Sequence, residues 1–286
     1  GIVLQTVVEK MLKKSDDMQI MFASPLTTNP DVLPHTFNIE EAEIINEDES
    51  PVSQNLIFID TCPENPENIN ISVYVEEKKV ALGSISLKKQ LLDPDSSLAA
   101  LSWHFGKEAQ NLIYASGPAA CEKIALLLME EVKQNLAVEE FTPDTELIEF
   151  SEFVKEHIHS GYTLAATLPY GVAFHYGNIP TLVRRTIEEL FDAGKLKFLV
   201  CTITLLHGIN LPAKNLFMLN PTKGKNRNTG EDIPLSPVDF WNLAGRAGRL
   251  GRDFQGNVFL INIDNWLQNP LHGQKKQMIK IGRAHV

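Results

Sequence analysis

Cysteine is scarce in this chain, whose 286 residues carry Cys62, Cys121 and Cys201 and no others. Three thiols so far apart make neither a disulfide framework nor a C-x-x-C metal knuckle, so they are expected to be reduced and mostly buried. Long apolar runs are missing too. No stretch approaches the roughly 20 residues that a membrane helix needs, and the N-terminus lacks the charged, apolar, small-residue order of a signal peptide. A cytoplasmic location is expected. Two motifs are also absent: there is no G-x-x-x-x-G-K-S/T phosphate loop and no Asp-Glu-x-His box, and Asp48-Glu49-Ser50 falls in an acidic stretch rather than behind a strand. By itself the chain therefore lacks the means to cradle a triphosphate or hold magnesium.

What is present is an ordinary globular composition, 43% hydrophobic, enough for one large domain or one domain with pieces of its neighbours. The formal charge of -10 argues against a phosphate-binding surface, but its distribution matters more than its total. Between Tyr170 and Leu260 stand 11 Lys and Arg against 7 Asp and Glu, which leaves 15 against 29 elsewhere. The positive charge is gathered in one part of the chain.

Apolar stretches suited to buried strands recur at Asn55–Asp60, Ile71–Val75, Asn111–Ser116, Gly171–Tyr176, Leu196–Thr202, Asn215–Leu219 and Asn257–Asn262. Helical patterns follow several of them. One opens at Pro118, with Ile124, Leu127, Leu128 and Val132 at helical spacing; another opens near Pro180, places Val183, Ile187, Leu190 and Phe191 on one face, and stops at Gly194. Ser236-Pro237-Val238-Asp239 reads as the capped start of a third. Strands alternating with helices predict an α/β fold with a mainly parallel sheet covered on both faces. Pro221–Pro234, with Lys223, Lys225 and Arg227 among Gly, Asn and Thr, reads as an exposed loop, either plain surface or a nucleic-acid contact.

The strongest chemical signal is Asn242-Leu243-Ala244-Gly245-Arg246-Ala247-Gly248-Arg249. Glycines at 245 and 248 let the backbone pass close to a partner, and arginines three apart can present their guanidinium groups to one anion, a geometry that suits a triphosphate. An arginine set against a transferring phosphoryl group is worth on the order of 10³–10⁵ in rate. Upstream, Cys201-Thr202-Ile203-Thr204-Leu205-Leu206-His207-Gly208-Ile209-Asn210-Leu211-Pro212 follows a buried strand.

These two segments resemble motifs VI and V of superfamily 2 helicases of the DExH, Ski-like branch. Leu112–Ser116 is similar to motif IV, and Ala173–Gly177 to the strand that leads into a loop contacting nucleic acid, so the resemblance covers most of Leu56–Ile263. It implies a RecA-like second motor domain, with ATP and Mg2+ held between two such domains and mainly by the first. Arg246 and Arg249 would be arginine fingers, with Gly208, Asn210, Asn242 and Gly245 at the nucleotide. Thr202, His175, Gly177 and Ser116 would meet a DNA or RNA strand, single-stranded by expectation. The sequence departs from the family pattern at Asn242, where glutamine is usual, and near Ile20–Leu26, where only Ser24 of motif III remains.

The expected layout is a tail of the first motor domain at 1–38, a linker at 39–54, the second motor domain at 55–265, the start of a further region at 266–280, and 281–286 as non-native sequence. The expected function is ATP-dependent helicase or translocase activity of a longer protein, the chain alone being inactive. The alternative is a non-hydrolysing nucleic-acid-binding or scaffold protein on a degenerate motor domain. His157-Ile158-His159 is the nearest candidate for unrelated metal chemistry, but alternate residues of a helix do not converge on one ion and no third ligand stands nearby.

Overall fold

The structure is a computed structural model that describes residues 2–14, 18–23, 27–37, 39, 41–45, 52–135, 142–206, 211–226, 228–249, 251–273 and 275–276. Ser24, His207, Gly208, Ile209, Asn210, Arg227 and 281–286 lie outside the described residues, as does much of the expected linker. Two helices come first, α1 (Ile2–Leu12) and α2 (Val32–Thr36). The sheet begins with β1 (Ser53–Thr61), β2 (Asn68–Val75) and β3 (Lys78–Ser86) and is joined by β4 (Asn111–Tyr114), β5 (Val172–His175), β6 (Phe198–Cys201), β7 (Asn215–Leu219) and β10 (Gln255–Ile261). β8 (Thr222–Lys225) and β9 (Asp232–Pro234) form a separate hairpin. The remaining helices are α3 (Pro94–Gly106), α4 (Pro118–Asn135), α5 (Thr145–His157), α6 (Thr163–Thr167), α7 (Thr181–Asp192) and α8 (Pro237–Ala244).

The order of the eight-stranded sheet is β3-β2-β1-β10-β7-β4-β6-β5. The six strands from β1 to β5 in that order run parallel, while β2 and β3 extend the β1 edge in antiparallel fashion. Every residue of β4, β5 and β6 is buried. Because successive side chains point to opposite faces, burial at every position means that both faces are covered. α3 packs on β4 and β7, and α4 packs on α3, β5 and β6. The predicted α/β class and parallel core are therefore observed.

Local chemistry explains the helix ends. Asp93 accepts the Ser96 N–H and Asp144 the Glu146 N–H, capping α3 and α5, while Ser236 accepts the Asp239 N–H to open α8 behind Pro237. α7 buries Val183, Ile187, Leu190 and Phe191 and ends where Gly194 takes a φ of 80°. The stretch Pro221–Pro234, expected as a loop, instead forms the β8–β9 hairpin. Its base is fixed: the Tyr114 hydroxyl donates to the Thr222 carbonyl at 2.8 Å, and Lys223 pairs with Asp239 at the start of α8.

A row of asparagines crosses the amino ends of four parallel strands. Asn55, Asn257, Asn215 and Asn111 are successive register partners on β1, β10, β7 and β4. Asn55 donates to Asn257 at 3.1 Å, Asn257 to Asn215 at 2.9 Å and Asn215 to Asn111 at 2.8 Å. Asn111 closes the row by donating to the carbonyls of Gly106 and Ala109, each at 2.8 Å. A one-residue slip of any strand would turn its amide to the other face, so the row fixes register. Asn215→Leu strands a donor on one side and an acceptor on the other. It is expected to cost about 3 kcal/mol, measurable as a lowered urea midpoint with an unchanged slope.

Candidate functional site

The order of the parallel strands creates a switch point. From β4 the chain crosses to β5 and returns to β6 on one side, then places β7 and β10 on the other. In such sheets ligands gather at the carboxyl ends beside that point. The adjacent strands β4, β6 and β5 lead there into Ser116, Thr202 and Gly177, one or two residues past their ends. Tyr114 and His175 flank Cys201 in register, the Ala115 N–H donates to the Cys201 carbonyl at 2.8 Å, and the Thr202 N–H donates to that of His175 at 3.3 Å. Ser116 and Gly177 are exposed. Thr202 is buried, with its hydroxyl 2.9 Å from that of Thr204, whose methyl lies 3.4 Å from where a Cβ at Gly177 would stand. The three residues thus share one rim.

His175 belongs to the same rim through its backbone, but its side chain turns inward. The ring is 2% exposed and its Nε2 lies 3.0 Å from Glu188 of α7. Burial holds the imidazole below its ordinary value, against the hydrogen bond to Glu188 that favours the cation. Nearby, the Tyr176 hydroxyl donates to Glu122 of α4 at 2.6 Å, tying the loop after β5 to the helix after β4.

The arginine-bearing segment is set by backbone contact. α8 ends at Ala244, and Gly245 to Gly248 then runs beside the start of β7: the Ala213 N–H donates to the Arg246 carbonyl at 3.0 Å, and the Gly248 N–H to the Ala213 carbonyl at 2.7 Å. Gly248 has a φ of 96°, and a Cβ there would overlap Val52; the facing Gly256 has no room for a Cβ either. Asn242 is half-buried on α8, and Gly245 is exposed.

The two arginines have different surroundings. Arg246 is half-buried, and its charge opposes the burial that pushes the Cys201 thiol up to about 12. Arg249 reaches the amino rim. There it ion-pairs with Asp253 at 2.7 Å and donates from Nη1 to Gln110, the residue before β4, also at 2.7 Å. It opens with Arg252 into a pocket of about 280 Å³ lined also by Phe191, Asp192, Leu211 and Pro212. Two cationic groups beside an apolar wall, with the Asp192 carboxylate at the edge, give the pocket the donors that an anionic group such as a phosphate takes.

Sequence reasoning missed Gln110, Asp253 and Arg252. Asp253 carried a readable signal, since it stands four residues after Arg249; Gln110 is 139 residues away and carried none. Among the described residues no group of three His, Cys, Asp or Glu side chains converges on a metal position. His157 ends α5, and the ring of His159 accepts the Gly161 N–H. No described helix is long and apolar enough to cross a membrane.

The sheet is RecA-like, with strand-end loops on one rim and an arginine-bearing loop over the other. Residues 127–251 match the family described as helicase conserved C-terminal domain, and the relatives that the chain resembles are DExH-box and Hel308-type helicases. It is 27% identical to the ATP-dependent DNA helicase Hel308 of Caldivirga maquilingensis over 266 residues, which cover 91% of this chain and 32% of that protein. The DExH-box ATP-dependent RNA helicase DExH12 of Arabidopsis thaliana is 26% identical over 276 residues, covering 84% and 13%. The Helicase POLQ-like protein of Drosophila melanogaster is 31% identical over 170 residues, covering 59% and 15%. The chain thus spans about a third or less of the length of these relatives.

Proposed function

We propose that the full-length protein is an ATP-dependent helicase or translocase and that this chain supplies its second motor domain. The observation that carries the reading is the placement of Arg249 in a pocket with Arg252 and Gln110, on a loop fixed to the strand ends by backbone hydrogen bonds. In this reading residues 1–38 are the tail of the first motor domain, 39–54 a linker whose last residues, Ser53 and Gln54, are already built into β1, 55–265 the second motor domain and 266–280 the start of a further region. Arg246 and Arg249 stabilise charge on the transferring phosphoryl group, while Gly208, Asn210, Asn242 and Gly245 lie along the nucleotide. Ser116, Gly177 and Thr202 meet the backbone of a single strand of DNA or RNA, and His175 holds their loop from beneath.

In this reading Mg2+ is held mainly by the first motor domain, and this chain's part is positioning and electrostatics. Closure of the cleft on ATP and its reopening after hydrolysis would move the strand-gripping rim relative to the other domain. A cytoplasmic site of action fits the three free thiols, two of them buried.

The test is turnover. Full-length protein is expected to hydrolyse ATP faster when single-stranded DNA or RNA is added, whereas residues 1–286 alone are expected to hydrolyse none. Full-length protein that binds nucleic acid without any nucleotide turnover would instead establish a binding or scaffold protein on a degenerate motor domain.

A further inference from the structure

Arg249 enters its pocket already held. The carboxylate of Asp253 accepts from Nε at 2.7 Å and from Nη2 at 3.2 Å, and it also accepts the backbone N–H of Arg249 at 3.0 Å. Gln110 accepts from Nη1 at 2.7 Å. Both partners are themselves fixed. Gln110 is buried, and its amide nitrogen donates to the carbonyls of Phe191 and Leu196, which dictates that its oxygen faces Arg249. The Asp253 side chain is 9% exposed and has the Lys214 ammonium 4.0 Å away.

A guanidinium carries five N–H donors, and these contacts occupy three. Two remain for a phosphate oxygen. A long side chain that is free in solution loses rotamer freedom when it is fixed on a ligand, whereas one held on two sides has already lost it. Donors aimed before the reaction starts also need no reorganisation as charge grows, and that is the condition under which they stabilise a transition state most.

We propose that Asp253 and Gln110 are positioning residues that hold the Arg249 guanidinium ready for the phosphoryl group of a bound triphosphate. This rests on reading Arg249 as an arginine finger. The same contacts exclude a simple surface ion pair as their purpose, because a buried glutamine from a distant strand start completes the arrangement. Asp253 is therefore a support that acts through Arg249 and touches no phosphate itself.

The test compares Asp253→Asn, Gln110→Met and Arg249→Ala in the full-length protein, with ATP as substrate and single-stranded nucleic acid as activator. Asp253→Asn is expected to lower kcat ~10- to 100-fold, the size of effect that a misaimed group produces, with KM for ATP changed less than about twofold. Gln110→Met is expected to act in the same direction and more weakly. In an Arg249→Ala background, Asp253→Asn is expected to remove nothing more, an outcome that a merely structural role for Asp253 would not give. Wild-type or faster kcat in Asp253→Asn overturns the proposal, the faster case meaning that Asp253 restrains the arginine. If thermal unfolding shows that Asp253→Asn does not fold, Gln110→Met decides by the same criterion. Wild-type turnover in Arg249→Ala alone would instead overturn the arginine-finger reading, so the two failures are distinguishable.

Discussion

Arg249→Ala is expected to lower nucleic-acid-stimulated ATP turnover of the full-length protein by ~10³-fold or more while nucleotide affinity stays within a few-fold. The size of the loss is what discriminates. Removing an ordinary neutral hydrogen bond costs about 1 kcal/mol, less than a tenfold change. Three orders of magnitude require a group that acts on charge appearing only in the transition state. Ground-state binding is expected to survive because the pocket keeps the Arg252 cation and its apolar wall of Phe191, Leu211 and Pro212. The fold is expected to survive too, since Asp253 retains the Arg249 backbone N–H and the nearby Lys214. Single-turnover hydrolysis and equilibrium nucleotide binding, run on the same preparation, separate the two effects. Wild-type turnover would remove Arg249 from the chemistry.

How much of this was legible in the sequence depends on whether the determining contacts are local. The four strands β4, β5, β6 and β7 announced themselves because strands covered on both faces read as continuous apolar runs. α7 and α8 were equally plain, each having a periodic face and a recognisable start or stop. β3 was not, since nearly all of it is exposed and no alternation between core and solvent marks it. α3 was hidden for the opposite reason: Ser97 to Ser102 are buried without a break, which erases the helical period. The Asn row was visible and unused. Four of the seven expected strands began with asparagine, and a polar residue repeated at one level of a parallel sheet has to find partners across it. The arginine-bearing loop could be read as a motif, but the aim of Arg249 could not, because it depends on Gln110 from a distant strand start.

The second large effect is expected from a residue with no side chain. Gly256 sits at the second position of β10, opposite Gln54 of β1, and a Cβ there would overlap the carbonyl of Ala247 and the amide nitrogen of Gly248. From the other side, a Cβ on Gly248 would stand 3.1 Å from the Gly256 nitrogen and overlap Val52. The arginine-bearing loop therefore lies backbone on backbone against the strand, an approach that only glycine permits. No change of rotamer relieves a clash between two main chains, and Ala247 is pinned by its bridge to Ala213. Gly256→Ala is expected to cost at least about 3 kcal/mol, at the upper end of what overpacking produces. Gly117→Ala is the matching control, since a Cβ there meets nothing within 4 Å and the residue has no positive φ. It is expected to change stability by less than about 0.5 kcal/mol. Equal urea midpoints for the two variants would mean that loop and strand do not touch. A selective loss at Gly256 would show that the same contact that stabilises the domain also sets the depth at which Arg246 and Arg249 are presented.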